Sequence, residues 1–254
     1  MLSMNNLNDI LVAFAPINLK EMDHVKLLDR LDTKFVVHES QLPALLAEIS
    51  DHYRLLVIDG ELLHAYETQY FDTPDFHLYM VHHNGKRNRF KVRFRQYVHS
   101  GDTYFEVKSK TNTGRTFKNR LKVDSIPEVL TETQNHFIAL HAASENQSFV
   151  PSLRIFFDRL TLVNKNANER LTFDLNLRYL HDGSYKSIKN MIIGEVKQEK
   201  HAVSPFRELM KGHRQANRYL SKYCMGIIIF RKELKKNRFK QTLKSLNKLG
   251  YDIY

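Results

Sequence analysis

Cysteine is almost absent from this 254-residue chain, with Cys224 the single example. An intrachain disulfide is thereby excluded, and so is a zinc site built on several thiolates. Cys224 itself reads as a packed small hydrophobe rather than a nucleophile. Glycine and proline are also sparse, at 9 and 6 residues. That scarcity excludes a collagen-like or low-complexity chain and leaves few long Gly-rich loops. There is no Gly-rich Walker-type loop, which disfavours a P-loop nucleotide site. No His-Glu-x-x-His occurs among the 13 histidines, and His82-His83 reads as a helix end or loop rather than a ligand pair. Long apolar runs are missing too: Cys224 to Phe230 is far too short to span a bilayer. The N-terminus has no basic leader before an apolar core and carries Asp9, so it does not read as a secretory signal. The expectation is a soluble, cytoplasmic chain in reducing surroundings.

Positive charge is what the chain has in excess. Lys and Arg number 39 against 28 Asp and Glu, a formal net charge of +11. Such a balance points to polyanionic partners: nucleic acid, anionic membrane, nucleotide or phosphate polymer. Hydrophobic residues at 42% and aromatics at 11% supply a sizeable core and exclude wholesale disorder.

The local patterns predict an α+β chain with about nine strands. Residues 5–28 carry a weak helical stripe. A strand is expected at Leu31–Val37. Ser40 is the expected N-cap of a helix through about Asp51, with Pro43 tolerated in its first turn. Strands Tyr53–Ile58 and Glu61–Phe71 are joined by Asp59-Gly60, a hairpin signal. Asp72-Thr73-Pro74-Asp75 reads as turn chemistry opening a short helix to about His82. Strands follow at Arg89–Tyr97, Thr103–Lys110 and Thr116–Val123, then a helix from Thr131 to Ala142. Strands Leu153–Val163, Arg170–Tyr179 and Ile188–Lys197 precede a helix capped by Ser204-Pro205. Arg231 to Leu249 reads as a basic helix with a solvated face; an anionic membrane is its alternative partner. Clustered antiparallel hairpins favour a barrel-like sheet over a doubly wound one.

Alternation along the strands sorts the charges. Lys91, Arg93 and Arg95 share one face of their strand, opposite Phe90, Val92 and Phe94. Glu106, Lys108 and Lys110 share a face of the next strand, and Lys118, Arg120 and Lys122 of the third. Arg170, Thr172 and Asp174 share a face, as do Glu195 and Lys197. One such strand is commonly just a solvated sheet surface. Several side by side repel unless an anion compensates. Their apolar faces would pack outward on helices, leaving a polar lumen roughly wide enough for one small ligand in a sheet of about eight strands. The tyrosines and phenylalanines fall opposite the cations, which suits an outer core better than a base-stacking platform. Glu106 and Glu195 are either salt-bridge partners or ligands of a divalent cation shared with phosphate oxygens.

The stretches Arg30-Leu-Asp-Thr-Lys-Phe35, Tyr70-Phe-Asp-Thr-Pro-Asp75, Lys91-Val-Arg-Phe-Arg-Gln-Tyr97, Phe105-Glu-Val-Lys108, Arg115-Thr-Phe-Lys-Asn-Arg120, Asp158-Arg159, Gly194-Glu-Val-Lys197 and Ser221-Lys-Tyr-Cys224 occur in the order found in the vacuolar transporter chaperone (VTC) domain. From about Asp29 to Phe230 the chain resembles that family, part of the triphosphate tunnel metalloenzymes. The resemblance implies an antiparallel eight-stranded tunnel-like β-barrel with helices outside. It also implies ATP-dependent synthesis of inorganic polyphosphate with Mn²⁺ or Mg²⁺. On it, the chain is one domain over 1–254, with its core at about 29–230 and a basic C-terminal helix at 231–254. Arg93, Arg95, Lys108, Lys118, Arg159 and Arg170 are the implied catalytic cations. Lys34, Lys91, Ser221 and Lys222 are implied substrate contacts, and Glu195 the implied metal ligand. The regulatory domain and membrane helices of eukaryotic relatives are absent from this sequence, so a membrane protein outside this chain is an expected partner, and DNA is not. The Glu-x-Glu-x-Lys opening of the superfamily's hydrolases is replaced by Leu31-Asp32-Thr33-Lys34. A metal-dependent triphosphatase, a nucleotide cyclase and a non-catalytic polyphosphate- or RNA-binding module are the competing readings.

Overall fold

A computed structural model describes residues 4–22, 30–142 and 147–251. Its first elements are α1 (Met4–Leu11), β1 (Ala15–Ile17), α2 (Leu19–Met22), β2 (Arg30–His38), α3 (Leu42–Ile49), β3 (Tyr53–Leu56) and β4 (His64–Asp72). Then come α4 (His77–His83), β5 (Arg89–Tyr97), β6 (Thr103–Lys110), β7 (Thr116–Val123) and α5 (Glu132–Ala142). The remainder is β8 (Val150–Asn164), β9 (Glu169–His181), β10 (Ser184–Ser187), β11 (Met191–Glu199), α6 (Pro205–Gly212), α7 (Lys222–Phe230) and α8 (Lys240–Lys248). The expected α+β class holds. The strands make one large, mainly antiparallel sheet of eleven, eight of them on an open main path that ends in β2 and β7.

Two compact units share this chain. The first comprises Met1–His64, Phe157–Leu177 and Ile188–Tyr219; the second comprises Ala65–Phe156, Arg178–Ser187 and Leu220–Tyr254. In the first, β11 pairs antiparallel with both β2 and β9. One face of these strands gives Phe35, Val37, Leu171, Phe173 and Val196 to a core closed by Leu42, Leu46 and Phe206 from α3 and α6. Inside it, the Tyr53 hydroxyl donates to the buried Glu169 carboxylate and accepts from the Phe206 N–H at 3.3 Å. In the second unit, β5 pairs with β4 and β6, and β6 with β7, all antiparallel. Phe71, Val92, Phe94, Phe105 and Val107 face a core completed by Leu78 of α4 and Ile138 of α5. Period-two alternation therefore separates apolar and charged faces in both units, as the sequence predicts.

Several local expectations need correction. Pro16 cannot continue a helix. The predicted helix over 5–28 breaks after Leu11 and resumes as α2, while 15–17 pairs parallel with β3. Residues 23–29, the rest of that helix and Asp29 included, lie outside the described residues. Ser40 does not cap α3. It lies in a 3-10 turn, Glu39–Gln41, whose cap is His38, with the Ser40 N–H donating to His38 Nδ1 at 3.2 Å. Asp59-Gly60 does turn the chain, with both residues at positive φ, but closes only the Ile58–Glu61 bridge. β3 pairs instead with β1 and β8. The basic helix expected over 231–249 is shorter: 237–239 form a 3-10 turn and α8 begins at Lys240. By contrast, Ser204 caps α6 as expected, accepting from the Arg207 N–H at 3.2 Å.

α7 was not legible as a helix, because Ile227, Ile228 and Ile229 are β-formers and its surface is apolar all round. Such a helix is buried, and here every residue from Tyr223 to Ile229 is. Gly226 permits that burial. A Cβ there would stand 2.4 Å from Leu153 Cδ2 and 2.7 Å from Tyr179 Cδ1. Gly226→Ala is expected to destabilise by about 2 kcal/mol despite alanine's better helix propensity, because packed side chains must yield. A denaturant melt giving a stability equal to or above that of the parent would refute this.

His82 on α4 is buried, its ring 6.5 Å from that of Phe239. Burial, then the charges of Lys91, Arg89 and Lys110, push its pKa from 6.5 down to about 2. The folded state thus holds His82 neutral, while the unfolded chain protonates it below about pH 6.5. Stability is full above that pH and falls as the pH drops, by about 2 kcal/mol at pH 5 from this group alone. His82→Leu should flatten stability between pH 6.5 and 5; an unchanged slope in melts across that range would contradict the assignment.

Candidate functional site

The charged face of the second unit is built by register. Lys91, Lys108 and Lys118 lie abreast on β5, β6 and β7. Arg93 stands between Tyr70 of β4 and Glu106 of β6, with Arg120 beyond. Arg95 aligns with Thr68 and Tyr104. Six cations thus surround one carboxylate. Glu106 is 1% exposed and takes Arg93 Nη2 at 2.7 Å and Arg93 Nε at 2.8 Å on Oε2, with Lys118 on Oε1. Burial alone would raise its pKa, but Arg93, Arg95 and Lys118 outweigh burial and hold it at about 2. Burial likewise lowers Lys91 and Lys118. Arg95 lies 5.4 Å from the Tyr66 ring and Arg120 4.8 Å from that of Tyr104. The ring faces attract the guanidiniums without neutralising them.

Tyr70 belongs to this face and was missed in the sequence, although its parity with Thr68 on β4 carries the signal. Its hydroxyl accepts from Arg93 Nη1 at 3.2 Å. Burial would raise the phenol's pKa; Arg93, Lys91 and Arg95 bring it below 10. The Tyr70 ring stacks on Tyr223 at 4.9 Å. The Tyr223 hydroxyl donates to Asp72, which also accepts the N–H groups of Thr73, Leu78 and Tyr79 at 2.7, 2.8 and 2.9 Å. Asp72 is therefore the fully buried anchor that ties α7 to the start of α4 and to β4. That is the turn role expected of it, extended by Tyr223.

α7 begins at this face. Ser221 caps it, accepting the Cys224 N–H at 3.4 Å, and also accepts from Lys91 Nζ at 2.9 Å. Lys222 is the first residue of α7. Lys91, Arg93, Arg95, Lys108, Lys118 and Ser221 are thus gathered within one unit, and Cys224 is buried as expected.

The remaining predicted residues gather in the other unit. Glu195 of β11 aligns with Lys34 of β2 and Thr172 of β9, and Lys197 with Asp32 and Arg170. Glu195 is ion-paired with Lys34, and with Lys197 at 3.3 Å. Lys197 has its pKa lowered overall: Glu195 raises it, but burial and the charges of Arg159 and Lys34 prevail. Arg159 of β8 grips Asp174 with two hydrogen bonds of 2.6 and 2.9 Å. Asp174 is fully buried.

Among the described residues no three His, Cys, Asp or Glu side chains converge on a metal position. Glu195 brings one carboxylate flanked by two ammonium groups. That donor set fits a dication only when substrate phosphate oxygens complete its shell, which is how Mg²⁺ is commonly held. Among the described residues no helix is long and apolar enough to cross a membrane.

A family profile described as VTC domain matches residues 29–231. No curated protein sequence matches. Among solved structures, a Bacillus halodurans protein described as a candidate adenylate cyclase aligns with a TM-score of 0.46 and 15% identity, over 76% of this chain and 94% of its own. A Hippeastrum protein described as a candidate adenylyl cyclase with dominant triphosphatase activity aligns at 0.44 and 13%, over 82% and 99%. A conserved Pyrococcus furiosus protein of undescribed role aligns at 0.40 and 12%, over 72% and 89%.

Proposed function

The chain belongs to the VTC domain family, and on that premise we propose that it is a phosphotransferase that lengthens inorganic polyphosphate with phosphate taken from ATP. The observation that carries the reading is the face of six cations around the buried Glu106 carboxylate. A face that only needed solvent would not concentrate one sign of charge. Phosphoryl transfer asks the protein for positioning and charge stabilisation, not covalent chemistry.

In this reading Arg93, Arg95, Lys91, Lys108 and Lys118 donate to phosphate oxygens, and Ser221 and Lys222 add donors at the start of α7. Glu106 holds Arg93 and Lys118 in place before substrate arrives, so little reorganisation is needed. Lys34, Arg159 and Arg170 are proposed phosphate contacts on the charged face of the first unit. The bond from the γ-phosphorus to the β,γ-bridging oxygen breaks. A new one forms to a terminal oxygen of the polyphosphate chain, and ADP leaves with the bridging oxygen. The nucleophile is already an anion, so no general base is required. Glu195 would hold Mn²⁺ or Mg²⁺, which would neutralise charge on phosphate oxygens.

The test is incubation with ATP and Mn²⁺ or Mg²⁺, measuring ADP, free phosphate and polymer separately. ADP with matching polymer is expected. ADP with matching free phosphate and no polymer would make the protein a triphosphatase. No turnover, with retained polyphosphate binding, would make it a binding module.

A further inference from the structure

Residues 232–251 follow the stretch that matches the family. They hold seven cationic residues and one acidic residue, Glu233, which pairs with Arg231 at 2.5 Å. The segment is fixed to the second unit. Phe239, Leu243, Leu246 and Tyr251 are buried, the Phe239 ring lying 5.6 Å from His83. The Tyr79 hydroxyl donates to the Lys235 carbonyl at 2.8 Å, and Arg238 Nη1 donates to the Asn84 carbonyl at 2.5 Å. Lys232, Lys235, Lys240, Lys244 and Lys248 are left exposed.

The spacing of the α8 lysines opposes the helix's own stability, although Lys248 in the last turn suits the macrodipole. Lys240, Lys244 and Lys248 recur every four residues, so they line one face about 6 Å apart. Like charges at that spacing destabilise a helix, and Lys240 in its first turn opposes the macrodipole. A helix needed only as cover for the core beneath Leu243 and Leu246 would gain from acidic residues at some of these positions. The segment is also tied, just ahead of this row, to the loop that leads into the phosphate face. Arg238 grips the loop after α4. Three residues beyond that loop's Lys86, whose carbonyl accepts from Arg89 Nη1 at 2.6 Å, β5 begins with the same-parity cations Arg89, Lys91, Arg93 and Arg95.

We propose that the C-terminal segment is a second polyanion-docking surface, whose occupant is a polyphosphate chain also engaged at the β5 face. The identity of that occupant rests on the polymerase reading above. A linear polyanion suits a linear row of lysines. A bilayer suits it less, because Phe239, Leu243, Leu246 and Tyr251 are buried, so α8 has no apolar face to insert. Single-stranded RNA would call for stacking platforms, and the segment's described aromatics are buried. Docking here would keep a growing chain at high effective concentration between additions.

The test replaces Lys232, Lys235, Lys240, Lys244 and Lys248 by Gln in the full chain, with an all-Arg counterpart. These side chains are exposed and Gln and Arg are good helix formers, so the fold is retained. Binding of long-chain polyphosphate should weaken at least about tenfold and lose part of its salt dependence, as for any lost set of phosphate contacts. Binding of tripolyphosphate should not change, and the all-Arg variant should bind both like the parent. With ATP, the Gln variant should make shorter chains. Unchanged long-chain binding, or equal loss for both lengths, overturns the proposal. So does lysine-dependent binding of phosphatidylglycerol vesicles without binding of polyphosphate. A protein that makes no polymer yet shows the length-selective loss retains the docking surface and loses the polymerase reading.

Discussion

Glu106→Gln is expected to lose about 3 kcal/mol of stability at pH 7 and to recover most of it in tripolyphosphate. Removing one partner from a buried charge cluster leaves the others uncompensated, at a cost of about 3–5 kcal/mol. Here the others are Arg93 and Lys118. The pKa gives an independent figure. A carboxyl held at about 2 in the fold, against an ordinary 4.5, contributes about 3 kcal/mol when ionised. The sign follows from the lowered value: this stability is fully present above pH 4.5 and is lost as the pH falls from there to about 2. A phosphate ligand should replace the missing carboxylate electrostatically. At a concentration of about 100 times Kd it returns about 2.7 kcal/mol. Thermal melts of parent and variant across a tripolyphosphate series check this. Equal ligand-induced shifts in both proteins would mean that phosphate does not reach this cluster.

The same variant separates positioning from charge. Arg93 is oriented by a hydrogen bond and an ion-pair contact to Glu106 and by a hydrogen bond to the Tyr70 hydroxyl. With Gln in place, the guanidinium keeps its charge and loses its main anchor. Phosphate affinity should then hold or rise while turnover falls.

Period-two charge made this face readable from sequence. Strands β5, β6 and β7 occupy the predicted residues because hydrophobic and cationic side chains alternate cleanly there, and Gly101 supplies a positive-φ turn. The unit's other site residues were harder to see. Tyr70 is one aromatic among many, and only its pairing with Arg93 across β4 and β5 reveals a polar role. Tyr223 lies in an apolar run that hides α7, and its partner Asp72 is 151 residues away. Ser221 and Lys222 came from family resemblance, since alternation says nothing about a helix start. Arg159 came the same way, and its bidentate bond to Asp174 depends on β8–β9 contact that local pattern does not encode. Long-range partners are where single-strand periodicity stops informing.

Glu195→Gln should lower metal-dependent turnover by about 10²-fold, since about 3 kcal/mol of charge stabilisation corresponds to that factor. Phosphate binding should not weaken, because the substitution removes a negative charge from beside Lys34 and Lys197. The pH profile supplies a readout independent of metal. Glu195 is the largest influence on Lys197 and offsets part of the lowering by burial and by the charges of Arg159 and Lys34. Without Glu195, Lys197 should lose its proton at lower pH, and the alkaline limb of tripolyphosphate binding should move toward neutrality. Lys197→Gln in the same background should abolish that movement. Stability should change little, because Lys34 and Lys197 retain partial solvent access and are not stranded as Arg93 would be. If instead Glu195→Gln melts several degrees lower and turns over ATP at the parental rate at every Mn²⁺ concentration, Glu195 is an ion-pair residue of the sheet. The metal, where used, is then held by substrate phosphates alone.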